Sequence, residues 1–145
     1  MKAKKVSVLL CAIAMVTSLL TPAMAAEAEE KVIDFGDGFY MIQTVEEYAV
    51  TRSGDIVGGK VSGDVYNGST KIGTATLSAT FDISGATAKA LTASITGTGM
   101  NGWSFSNGGT SKSGNQASGT ARFKSGSTTK SLPLTLTCSP DGTIS

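Results

Sequence analysis

Within residues 71–83 the chain alternates. Gly73, Ala75, Leu77, Ala79, Phe81 and Ile83 fall on one parity, and Thr74, Thr76, Ser78, Thr80 and Asp82 on the other. A period of two sorts these sets onto opposite faces of an extended strand, so the segment is built to be buried on one side only. Leu132, Leu134, Leu136 and Cys138 alternate in the same way with Pro133, Thr135 and Thr137. Proline has no N–H to give a ladder, which assigns this strand to a sheet edge or a bulge. Residues 60–66, with Val61 and Val65 alternating with Ser62 and Asp64, lead into residues 71–83 through Asn67-Gly68-Ser69. Asn-Gly between alternating segments predicts a hairpin with a type I′ turn. Residues 89–97 place Leu91, Ala93 and Ile95 on one face, and residues 115–124 do the same with Ala117, Gly119, Ala121 and Phe123. A short strand at 100–106 carries Trp103 and Phe105, with a loop at 107–114. Residues 38–48, after the Asp37-Gly38 turn, complete the set.

No apolar period of 3.6 persists in these segments, so helices to cover a parallel sheet are lacking. About seven short strands then predict an all-β fold, an antiparallel β-sandwich, with a small β-barrel as the alternative. No internal repeat points to a solenoid or propeller.

The start of the chain reads as an address. Lys2, Lys4 and Lys5 precede an apolar run at residues 6–20, and Ala23-Met24-Ala25 is a small-residue cleavage site. Residues 1–25 are therefore expected to be a secretory signal peptide, and residues 26–145 a single β-sandwich domain. The apolar run is short for the roughly 20 residues of a membrane span. Cys11 follows Leu9-Leu10 inside that run, which does not suit lipoprotein processing.

Cleavage after Ala25 leaves nine bases against eleven acids, a net charge of −2. Residues 26–64 hold nine acids against three bases, and residues 65–145 hold six bases against two acids. The expectation is an acidic arm facing a mildly basic body. A clustered basic face interleaved with aromatics is missing, so nucleic acid is not an expected partner. Only Cys138 survives cleavage, and its parity with Leu132, Leu134 and Leu136 predicts burial as a small apolar residue.

With no histidine, Ser-His-Asp and Cys-His catalysis and imidazole metal sites are excluded. Asp34, Asp37, Asp55, Glu46 and Glu47 offer oxygen ligands for calcium, but Asp34-x-x-Asp37-Gly38 falls short of the alternating acidic loop of a dedicated site. The same carboxylates could form a glycosidase pair, although nothing in the sequence sets their separation. Asn67-Gly68-Ser69 matches an N-glycosylation pattern but reads better as a turn. Tyr40, Tyr66, Trp103 and Phe105 are the aromatics a binding surface would use, and Trp103 with Phe105 are expected in the core of this aromatic-poor chain. No catalytic, cofactor-binding or metal residue is singled out.

The Asp34-Phe35-Gly36-Asp37-Gly38-Phe39-Tyr40 opening, the Ala79-Thr80-Phe81 strand, Trp103 and the ending Leu134-Thr135-Leu136-Thr137-Cys138-Ser139-Pro140-Asp141-Gly142-Thr143-Ile144-Ser145 carry a resemblance. The chain resembles a widespread group of small secreted proteins of Gram-positive bacteria to which no activity is attached, and no site residue follows from that likeness. The expectation is a secreted, non-enzymatic domain acting through its surface on the cell envelope or a protein partner, with no cofactor and no membrane after signal cleavage. A toxin or bacteriocin-like effector and a carboxylate-dependent hydrolase are the alternatives. There is no LPxTG-type motif or wall-binding repeat, so any wall association would be non-covalent.

Overall fold

The computed structural model describes residues 29–50 and 54–145; the segment expected to be a signal peptide, with its expected cleavage site, lies outside them. Eight antiparallel strands form two sheets: β1 (Glu30–Gly36), β2 (Phe39–Ala49), β3 (Ile56–Asn67), β4 (Thr70–Asp82) and β5 (Lys89–Gly99) in one, and β6 (Ser104–Ser113), β7 (Gln116–Ser125) and β8 (Thr128–Thr137) in the other. Every pairing joins neighbours in sequence, so both sheets are meanders. They do not close into a barrel. The acidic N-terminal region is no separate arm: β1, β2 and β3 are three of the five strands of the larger sheet.

The alternating residues meet between the sheets. Val61, Val65, Ala75, Leu77, Ala79 and Phe81 from one side pack with Ala117, Ala121, Phe123, Leu132, Leu134, Leu136 and Cys138 from the other. Small residues on this face make room for large ones. A side chain at Gly73 would strike the Phe123 ring, and one at Gly97 the Phe105 ring. Two bulges break the alternation. One between Val65 and Tyr66 leaves Ile72 unpaired and fully buried; the other leaves Leu91 unpaired, so that Ala90 rather than Leu91 enters the core.

Turn chemistry follows the glycines. Asn67 pairs with Thr70, and the loop is Gly68-Ser69 with positive φ at Gly68 alone. That matches a type II′ turn in place of the expected type I′. The type I′ pattern, positive φ at both central residues, is found at Asp37-Gly38 and at Asn101-Gly102, where the chain passes from β5 toward β6. The expected loop at 107–114 is largely strand: β6 continues to Ser113, bulged at Gly108 and Gly109, and the turn is Gly114-Asn115.

The two seams between the sheets are each tied by a lysine of core-facing parity. Lys112 lies opposite buried Ala117, and its Nζ donates to the Leu91 carbonyl at 2.7 Å. Lys130 lies opposite Phe123 and donates to the Phe35 carbonyl at 3.0 Å, with Phe39 beneath it at 5.2 Å. Trp103 and Phe105 border the β5–β6 seam. They are half-buried against the core instead of inside it, Trp103 edge-on to Phe39 and Phe105 edge-on to Phe123, each pair 5.7 Å apart. The reason is position: β6 is an outer strand of its sheet, and Gly97 leaves a shelf for Phe105.

β8 is an edge strand, as Pro133 requires. Thr137 exchanges both backbone bonds with Ser145, so odd-numbered residues of β8 point their backbone groups away from β7. The missing N–H of Pro133 therefore falls on the free edge, where it blocks pairing with another chain. Beyond β8 the tail folds back. Pro140-Asp141 form a turn closed by a Gly142 N–H to Ser139 carbonyl bond of 2.9 Å, followed by Gly142 at positive φ. The Asp141 carboxylate accepts from the Ser139 hydroxyl and the Thr143 N–H, and these bonds hold it down to about 2. Ile144 lands on Gly59 and its N–H donates to Glu47 at 3.2 Å, which pins the smaller sheet's last strand to the larger sheet. Cys138 is buried under this tail, as its parity predicts, and burial pushes its thiol up.

Candidate functional site

The side chains of β2, β3 and β4 that point away from the core are set in rungs by a register that is unbroken between β2 and β3 and, from Ile56 to Val65, between β3 and β4. Tyr40 faces Tyr66, Ile42 faces Asp64, Thr44 faces Ser62, Glu46 faces Lys60 and Tyr48 faces Gly58. On the far side Asp64, Ser62, Lys60 and Gly58 face Thr74, Thr76, Ser78 and Thr80, which in turn face Thr98, Thr96, Ser94 and Thr92. Neighbours on one rung stand about 4.8 Å apart and successive rungs about 7 Å apart, twice the rise per residue. Thr44, Ser62, Thr76 and Thr96 therefore make a straight row of hydroxyls across four strands.

The hydroxyls are positioned by one another. Thr74 and Thr98 bond through their Oγ1 atoms at 2.9 Å, and Thr80 and Thr92 at 2.7 Å. The outward positions from Thr74 to Thr80 and from Thr92 to Thr98 carry no charge at all. Charge on this half is left to its end, where Asp82 faces Lys89, and on the rest of the face it is mostly paired. Lys60 meets Glu46 at 3.1 Å, and Lys71 meets Asp64 at 2.9 Å, a hydrogen-bonded pair that holds the Lys71 ammonium above its ordinary value.

Aromatic rings stand at both ends of the β2–β3 track. Tyr40 and Tyr66 are stacked, with centroids 5.1 Å apart and planes 9° from parallel. Eight residues further along β2, Tyr48 lies across Gly58, in space that any side chain there would take. Tyr48 is one of the few large apolar side chains exposed among the described residues. Between the two aromatic ends an open groove of about 410 Å³ is lined by Glu30, Ile42, Thr44, Ser62, Gly63, Asp64, Thr74 and Thr76.

Of the aromatics expected for binding, the structure brings Tyr40 and Tyr66 together on this face and places Trp103 and Phe105 at the seam of the core. Tyr48 was missed; its signal is the glycine opposite it, which only the register reveals. The acids do not converge. Glu46 is paired with Lys60, Asp37 with Lys130 at 3.7 Å, Asp34 turns back to the Gly36 N–H, and Glu47 holds the tail. Among the described residues no three such side chains come together as a metal site, and the carboxylates lining the groove are Glu30 and Asp64, the latter bound to Lys71. Asn67 lies in the turn.

Comparison with protein-family models, with curated proteins and with solved structures finds no match to this chain.

Proposed function

We propose that this is a secreted, non-enzymatic binding domain that acts on the cell envelope through the outer face of its five-stranded sheet. The observation that carries this reading is the Tyr40–Tyr66 stack beside an open groove floored by hydroxyls. Aromatic faces shed water readily and present flat apolar area at low entropic cost, while ordered hydroxyls supply directional bonds to a hydroxylated partner. The signal-like segment supports export, and the absence of imidazole chemistry supports binding over turnover.

The test is sedimentation of the exported protein with isolated cell walls. The wild type pellets with walls, and the Tyr40→Ala/Tyr66→Ala variant, still folded by circular dichroism, stays in the supernatant. Equal pelleting of both, or no pelleting of either, removes this reading.

A further inference from the structure

Resting on that reading, we infer that the ligand of this face is an uncharged, extended polysaccharide lying along β2 and β3, with sugar rings against Tyr40 and Tyr66 at one end and Tyr48 at the other. The charge on the face selects the class. Lys60 is engaged by Glu46 and Lys71 by Asp64, the third lysine of the face, Lys89, stands at the far end of β5 on the rung of Asp82, and Glu30 and Asp34 remain as carboxylates on the adjoining strand. A polyanion lying along β2 and β3 would have to displace a carboxylate from Lys60 and from Lys71 before it met a cation. A neutral chain of hydroxyls loses nothing by approaching, and the charge-free Thr/Ser rungs of β4 and β5 flank it with donors and acceptors already in place.

Geometry selects the shape. The two aromatic ends are eight residues apart on one strand, about 27 Å at the strand rise. The groove between them, with Thr44, Ser62 and Thr76 in its lining, is open to solvent along its length rather than closed as a pocket for a single small molecule. An extended chain reaches both platforms at once; a monosaccharide reaches one. Binding should therefore strengthen with chain length until both ends are filled, because the second contact is made within the same complex.

Affinity electrophoresis with soluble neutral polysaccharides (hydroxyethyl cellulose and glycol chitin) and with polyglycerol-phosphate teichoic acid tests this directly. Retardation is expected on a neutral polymer and not on the teichoic acid, with a Kd that changes by less than about twofold when salt rises, since no charges are being screened. Tyr40→Ala/Tyr66→Ala should weaken it about tenfold or more, as loss of an aromatic anchor does. Gly58→Ala leaves every side chain of the face intact but displaces the Tyr48 ring, and should weaken long chains while leaving short oligomers unchanged. Wall binding that disappears when teichoic acid is stripped, or that collapses with salt, overturns the neutral-ligand inference and leaves the envelope reading standing. Retardation on a neutral polymer that does not depend on Tyr40, Tyr66 or Gly58 overturns the assigned track. Failure to bind walls or any of these polymers overturns both.

Discussion

The two outward faces of the sandwich share one core and differ in almost everything else. The larger sheet turns outward rungs of Thr and Ser, a stacked tyrosine pair and lysines already matched to acids. The smaller sheet turns outward Arg122 and Lys124 with no acid among its strands, a double-glycine bulge at Gly108-Gly109, and Pro133 on its free edge. Inside, both sheets use the same alternation of small and large apolar residues. The fold thus asks for one face of each strand and leaves the other free. The order of the larger face is not needed to hold the sheets together, and the smaller face has the features of a solvated, pairing-resistant surface.

That contrast can be broken at its common base. Phe123→Ala removes a fully buried ring that fills the space above Gly73 and touches Phe105. It should cost about 3–5 kcal/mol in urea unfolding and weaken both faces together. Trp103→Ala, at a half-buried seam, should cost about 2 kcal/mol, with indole emission moving modestly to the red as the wild type unfolds. A loss near that for Phe123 would place Trp103 inside the core after all.

On the outward faces the expected stability effects shrink. Tyr40→Ala/Tyr66→Ala should cost about 0.5–1 kcal/mol, the worth of a cross-strand aromatic pair, while abolishing wall binding. Arg122→Ser/Lys124→Ser should change stability by less than about 0.5 kcal/mol and leave binding intact. The smallest effect is local. Asp141 has its carboxyl lowered from 3.8 to about 2 in the folded tail, so it favours the tail at pH above its ordinary value and that contribution is lost as pH falls through about 2. The Thr143 and Ser139 amide signals should therefore titrate near pH 2 in an NMR series while strand signals hold. A midpoint near 4 would mean that the carboxylate makes no such bonds in solution.

The inner face of each long strand is legible in the sequence because burial imposes parity, and the strands at residues 71–83 and 132–138 show it with Ile72 as the one exception. Parity alone does not reveal bulges. Ile72 and Leu91 each sit where an extra residue shifts the ladder, and that shift depends on the facing strand. β1 was hidden by its acids, because Glu30 and Asp34 need only an exposed edge to be tolerated. For the site, Tyr40 and Tyr66 are recognisable as aromatics at outward parity, but their stacking depends on a β2–β3 register that two separated segments do not announce. The division of charge between the two halves of the chain is legible; that the acidic half supplies three strands of the larger sheet while the basic half is shared between both sheets follows only from the sheet order.

The difference between the faces is tested most directly by titrating isotope-labelled protein with solubilised wall glycan and following amide shifts by NMR. The account predicts perturbations concentrated at Tyr40, Thr44, Ser62, Tyr66 and Thr76, with Arg122, Lys124 and Thr129 unmoved. Perturbations concentrated at Arg122, Lys124 and Thr129, with the tyrosine face silent, would contradict it.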